Sequence, residues 1–537
     1  MQASLVFVNG NVLTMDAENQ RGEGVAVRGN RILAVGSNLD MKEYTGHTTQ
    51  IIDLAGKTLL PGFSDNHLHM LGYGLSLRQV DVSHVDSLDE IVARVKAKAE
   101  TLSSGRWVTG RGWDQNLFRE KRYPSRQDLD FAAPDNPVAL YRVCGHLLVA
   151  NSRALELAGI TKDTPDPAGG RIDRDPSTGE PTGILRETSA MQLVARIIPE
   201  PTFADRQAAL RQSVMQAAAC GITSITTDDV VNAGGLTQCV DLYRGLWESD
   251  GPAVRAYLLI SSNTLDELIE RGWKTGTGDE RVKIGPLKIF QDGSLGARTA
   301  ALLEPYSDDA GNSGVLYQSQ EEINRLVSRA QAAGMQIGAH AIGDAAVAST
   351  LTALGKASLA HPRNDSRHRI IHYQILNPEI LSATRRLGVI ADIQPKFVTT
   401  DGQWLENRIG PERLKTACAW KTIIDNGIMA VAGSDCPVEP FDPLLGLHAA
   451  VTRRVEGTPE GSSLLPEQKL PAAEALKLFT INGAYGSFEE DSKGSIRPGK
   501  LADFVVLDQD PTAIPGENIR DTQIAMTIVD GQIKYSA

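Results

Sequence analysis

Four times along this chain an apolar run of strand length ends on a side chain able to hold a metal ion. TLLPGFSDN leads to His67 and His69, MQIGA to His340, RII to His372, and IMAVAGS to Asp435. A short apolar run bounded by turn residues is consistent with a strand buried on both faces. Strands of one parallel sheet share a C-terminal edge, so groups far apart in sequence can meet there. A β/α barrel gathers metal ligands at one mouth in this way.

The spacing between these runs supports a parallel α/β fold, because helix-like and strand-like segments alternate through the middle of the chain. One unit shows the pattern. Ser319 is the expected N-cap with Glu322 three residues on, a capping box. Ile323, Leu326, Val327 and Ala330 form a 3.6-residue stripe, Gly334 stops the helix, and a strand then ends at His340. Both termini differ from this. VFVNGNVLTMD and GVAVRGNRILAVG at the start, and KLADFVVLDQDP and IAMTIVDGQIKY at the end, read as short strands split by Gly and Asn-Gly turns. One small β domain made from both ends is the economical reading, with the boundaries set at 1–58 and 485–537 and the barrel at 59–484. That middle region exceeds the roughly 250 residues of a typical barrel. The surplus is placed near 105–200, a segment rich in Pro, Gly and Arg, as a substrate-covering insertion.

Composition excludes several classes. The 537 residues carry a net charge of −12 with no run of Lys or Arg, which argues against nucleic acid as a partner. No apolar stretch reaches the roughly 20 residues of a membrane helix, and the N-terminus has no signal-peptide pattern. The five scattered cysteines fit reduced thiols in a cytoplasmic setting.

His67 and His69 are i and i+2 on a strand and so face the same side. Paired imidazoles suit a borderline cation such as zinc. A lone His-x-His is a weak sign, and a core histidine bonded to a carbonyl is the plain alternative for His340 or His372 taken singly. The 32 residues between these two equal about one βα repeat, however, which puts them on adjacent strands. Asp435 can accept a proton from an activated water and pass it to a leaving amine, or else cap the turn before Pro437. Lys288, inside VKIGPLKIFQDG, needs a partner or a modification if buried. A carbamate formed on it from CO2 would bridge two metals, and Asp292 is the competing candidate for that ligand. Trp113, Asp114, His146, Asp292 and Arg298 are the candidate substrate contacts. His47, His84, His361 and His368 are read as surface groups and His448 as helix packing.

Taken together, LPGFSDNHLH, GPLKIFQDGSLGARTA, IGAHAIGDAAV, IIHYQIL, AGSDCPVEPFDPLLGLHAAVTR and SIRPGKLADFVVLD resemble the amidohydrolase superfamily. More narrowly they resemble its amidohydrolase-3 branch, whose members include N-substituted formamide deformylases. The likeness runs nearly end to end. It implies a distorted (β/α)8 TIM barrel with a small composite β-sandwich domain. It also implies a metal centre of His67, His69, His340, His372, Asp435 and Lys288, the last carboxylated, with Asp435 and His340 catalytic. The expected cofactor is one or two divalent ions, zinc foremost, and the expected partner is a small-molecule substrate, with a homodimer as the assembly. The superfamily's deaminases carry a Glu shortly after the strand-5 His. Here Ala341-Ile342-Gly343-Asp344 follows His340, which argues against ring deamination. The function implied is hydrolysis of a non-peptide C–N bond in an amide or N-substituted formamide. The rivals are hydrolysis of a lactone, cyclic imide or phosphoester, and a non-catalytic barrel whose mark would be missing ligands.

Overall fold

In the computed structural model, which describes residues 2–16, 18, 20–248, 251–458 and 462–537, the chain divides into two units. Met1–Tyr73 with Leu210–Ala537 form the first, and Gly74–Ala209 the second.

The first unit contains the distorted (β/α)8 barrel. Its eight parallel strands are β1 (Phe63–Leu68), β2 (Ile222–Thr227), β3 (Arg255–Ser261), β4 (Val282–Phe290), β5 (Ile337–Ala341), β6 (Arg369–His372), β7 (Ile390–Ile393) and β8 (Ala430–Ala432). They pair in sequence order from β1 to β8. Most strand residues are buried on both faces, as a sheet wrapped by helices requires. The helix before β5 spans Gln320–Ala332, with the Ser319/Glu322 capping box in place and Ile323, Val327 and Ala330 buried.

The seam between β8 and β1 is closed by separate hydrogen bonds. Asn66 Nδ2 donates to Ala432 O at 2.7 Å, Asp435 N to His67 O at 2.7 Å, and His69 N to Cys436 O at 2.8 Å. Gly433 makes this closure possible. A Cβ at that position would lie 2.4 Å from His67 N and 2.9 Å from His67 O.

Both termini build one β-sandwich. A four-stranded sheet comes wholly from the N-terminal part. A six-stranded sheet joins Phe504–Leu507, Ile524–Val529 and Gln532–Ser536 to Thr58–Pro61, Asn11–Leu13 and Arg21–Gly22. The two sheets share a core of Phe7, Val12, Val25, Leu59, Phe504, Val506 and Ile528. Thr58–Pro61 runs almost directly into β1, so sandwich and barrel meet within two residues. Arg255 of β3 pairs with Asp503 at 2.6 Å and Asp530 at 2.9 Å, tying the barrel to the C-terminal strands.

The second unit begins at Gly74, earlier than the expected insertion at 105. It is a six-stranded mixed sheet with its own apolar cores, one of them including Val108, Trp113, Phe118, Leu129 and Leu140. Its first strand, Val80–Asp81, pairs with Val108–Trp113. The five cysteines are free thiols. Among the described residues no helix is long and apolar enough to cross a membrane.

Candidate metal centre

The C-terminal ends of β1, β4, β5, β6 and β8 bring the expected side chains together. His67, His372 and Asp435 each offer a ligand atom, all within 4.8 Å of one another, and all three residues are buried. Asp435 Oδ1 lies 3.4 Å from both His67 Nε2 and His69 Nε2. Lys288 Nζ is 3.1 Å from His67 Nε2. The rings of His340 and His372 are 4.4 Å apart, and those of His67 and His372 5.6 Å apart. The register puts β5 and β6 side by side, with Ala341 opposite His372.

Hydrogen bonds fix which nitrogen of each ring is free. His69 Nδ1 donates to Asp228 O at 2.9 Å, leaving Nε2 toward Asp435. His372 Nδ1 donates to Gln394 Oε1 at 2.8 Å, leaving Nε2. His340 Nε2 donates to Gly293 O at 3.0 Å, leaving Nδ1. His67 Nδ1 is buried without a partner. Lone pairs held in place on His372 and His340, an imidazole with an unsatisfied nitrogen, a carboxylate and, once deprotonated, His69 make a donor set that fits a divalent cation. His372 (φ 77°) and Asp435 (φ 60°) both hold left-handed backbone conformations, a strain that collects at functional sites.

The electrostatics match. Burial, aided by Lys288, pushes His67 down to about 3 and His340 to about 4; burial and His340 hold His372 well below the usual range. These imidazoles are therefore neutral near pH 7, the form that binds a metal. Burial also opposes a charge on His69, but the hydrogen bond and charge of Asp435 lift it to about 9. A metal must displace that proton. Burial pushes Asp435 up, yet its hydrogen bonds to His67 and His69 hold it well below the carboxylate range. Burial lowers Lys288, and the charges of Asp228 and Asp435 oppose that shift.

Three supporting acids escaped the sequence reading. Asp228, at the end of β2, has Oδ2 3.8 Å from Lys288 Nζ. Asp65 of β1 accepts from His67 N and Ser434 N, both at 3.1 Å, and so links the two strands that carry ligands. Asp392 of β7 pairs with buried Arg369 at 2.5 Å. The acids after ITSITT follow the same strand-then-acid pattern that marks Asp435, which was the available signal for Asp228.

Each expected substrate contact has a partner of its own. Trp113 is a core residue of the second unit, wholly buried, with Nε1 donating to Leu140 O at 3.0 Å. It presents no surface to a ligand, because its apolar ring faces the sheet core. Asp114 pairs with Arg142 at 2.8 Å, and exposed His146 pairs with Glu187 at 3.1 Å. Arg298 is bound through two nitrogens to Asp308, both at 3.0 Å. Asp292 accepts from the backbone N–H groups of Ala301, Ile342 and Gly343. His368 corrects the surface reading: it is 2% exposed, accepting at Nδ1 from Ile337 N and bonded at Nε2 to Gln331. It starts β6 at the end of the barrel away from the metal centre, where it ties β6 to β5.

A parallel barrel with imidazoles and a carboxylate at the C-terminal mouth defines a metal-dependent hydrolase fold. The sequence comparisons agree. A family model described as Amidohydrolase family, Amidohydro_3, matches residues 50–535, and the chain belongs to that family. A Bacillus subtilis (strain 168) protein named as an amidohydrolase, YtcJ, is 37% identical over 532 residues, covering 99% of each chain. The N-substituted formamide deformylase of Arthrobacter pascens is 29% identical over 553 aligned positions, covering 99% of this chain and 98% of that one. The crystal structure of an uncharacterized metal-dependent hydrolase from Pyrococcus furiosus superposes with a TM-score of 0.78 at 32% identity, covering 95% and 99% of the two chains. The chain is thus an amidohydrolase-family metal-dependent hydrolase.

Proposed function

We propose that this hydrolase cleaves a non-peptide C–N bond in a small amide or N-substituted formamide, with Asp435 as acid and base. The observation that carries this reading is the position of Asp435. One carboxylate oxygen lies equally close to both imidazoles of the His67/His69 pair, within the group of convergent ligand atoms. The end-to-end likeness to a formamide deformylase supports the choice of bond.

His67, His69, His340, His372 and Asp435 would hold the ion or ions, and zinc suits this donor set. When bound, such a cation lowers the pKa of water and polarises a carbonyl. Asp435 takes the proton of the attacking water and then delivers it to the departing nitrogen. His69 surrenders its Nε2 proton when the site loads. Lys288 would supply a further oxygen ligand in this reading. Its neutral amine forms an N–C bond to CO2 and loses a proton to give an anionic carbamate. Asp292 is the weaker candidate, since both its oxygens already accept backbone hydrogen bonds.

The test is Asp435→Asn, assayed for metal content and for turnover of N-formyl, N-acyl, lactone and phosphoester compounds. Metal should remain while turnover of the C–N substrates falls by about 10²–10⁴. Full activity in the variant would refute the role of Asp435. Turnover of lactones or phosphoesters alone by the parent enzyme would refute the choice of bond.

A further inference from the structure

Asp292 has no place in the chemistry above, yet it is one of the most completely engaged carboxylates in the first unit. It lies just beyond β4 and is 1% exposed. Oδ2 accepts from Ala301 N at 2.9 Å and Gly343 N at 2.8 Å, and Oδ1 accepts from Ile342 N at 3.0 Å. Ala301 lies in the loop after β4, and Ile342 and Gly343 lie in the loop after β5. One side chain therefore staples the loop after β4 to the loop after β5.

Two glycines show how close this contact is. A Cβ on Gly343 would lie 1.9 Å from Ala301 O, and one on Gly293 would lie 2.1 Å from Thr299 Oγ1. The first contact lies between the two loops, and the second packs the loop after β4 against itself. The staple sets the position of the next residue, Gly293, whose carbonyl receives His340 Nε2 at 3.0 Å. Asp292 Oδ1 itself stands 3.5 Å from the same nitrogen. Both acceptors around Nε2 thus come from the stapled turn, and only Nδ1 is left with a lone pair.

We propose that Asp292 is a positioning residue that selects the His340 tautomer, fixing the proton on Nε2 and presenting Nδ1 to the metal centre. This inference rests on the proposed role of His340 as a ligand. Outer partners of this kind hold a ligand ring in orientation, and their loss typically costs 10–100-fold in metal affinity. Replacing the carboxylate by an amide introduces donors where three backbone N–H groups need acceptors. The loops then separate, the Gly293 carbonyl moves away, and His340 populates both tautomers.

The experiment compares the full-length parent, Asp292→Asn, Asp292→Glu and His340→Ala. The imidazole signals of selectively ¹⁵N-labelled histidine are read in the metal-free proteins, and Zn²⁺ affinity is read by chelator competition. The expected result is a single Nε2-protonated His340 in the parent and a tautomer mixture in Asp292→Asn. Zn²⁺ affinity should be 10–100-fold weaker in that variant, with partial recovery in Asp292→Glu. A single unchanged tautomer in a folded Asp292→Asn would overturn the proposal. If Asp292→Asn does not fold, Asp292→Ser, which also lacks the carboxylate, takes its place, and a single unchanged tautomer with parent affinity in that folded variant would overturn the proposal equally. If His340→Ala binds Zn²⁺ as the parent does, the ligand role of His340 fails instead, while the tautomer measurement still judges Asp292.

Discussion

The β8–β1 seam makes Gly433→Ala the sharpest test of how this site is assembled. The added methyl would sit 2.4 Å from His67 N, 2.9 Å from His67 O and 2.9 Å from Asp65 Oδ1. Two of these atoms are backbone and cannot rotate aside. Reaching ordinary van der Waals contact requires the strands to part by about 1 Å. The hydrogen bond from Asp435 N to His67 O, 2.7 Å long, crosses the same gap and must stretch with it. His67 and Asp435 are carried by the two separated segments, so the cluster of convergent donor atoms opens. Overpacking of this kind costs about 1–3 kcal/mol of stability, and a 1 Å displacement of reacting groups costs about 10²-fold in turnover. Denaturant unfolding, Zn²⁺ titration and steady-state kinetics on the best substrate of the panel measure all three. A variant with the parent's unfolding midpoint, metal affinity and kcat/KM would refute the view that this glycine holds the ligand strands together.

Two further outcomes follow from buried charge. Arg369→Met leaves Asp392 buried with its ion-pair partner gone, and should cost about 3–5 kcal/mol in urea unfolding, whereas Arg369→Met with Asp392→Leu should recover much of that loss; equal losses in the two would contradict the pairing seen at 2.5 Å. Asp401 is pushed up to about 7 by burial and by the charge of Glu439. Because its folded value lies above the unfolded one, its favourable contribution is complete below about pH 4 and disappears as pH rises to about 7. Asp401→Asn should therefore gain stability relative to the parent across that interval and hold the gain above it. Thermal unfolding from about pH 5 to pH 8 measures this, and a difference independent of pH would rule it out.

The barrel and the side chains gathered at its mouth were legible because each sits on a local signal. A β-branched run ending in His340, His372 or Asp435 is visible without any neighbour, and the capping box at Ser319 marks its helix directly. The second unit was less legible. Its first strand is the two-residue Val80–Asp81, recognisable only through its pairing with Val108–Trp113. Trp113 and His368 were misread for one reason: composition shows a polar or aromatic group but not which partner occupies it. Leu140 O holds the Trp113 indole, and Gln331 with Ile337 N surrounds His368.

Local sequence by itself determined the strand–helix alternation, the two-ended β-sandwich and the residue types available to bind a metal, because periodicity and turn chemistry act over a few positions. Only the tertiary structure decided which nitrogen of each histidine is free, that Asp292 is held by three amides, and that Asp228 stands beside Lys288. Those outcomes depend on contacts between residues 9 to 159 positions apart in the sequence. Such contacts exist only once the barrel has closed and excluded water from its mouth-side core.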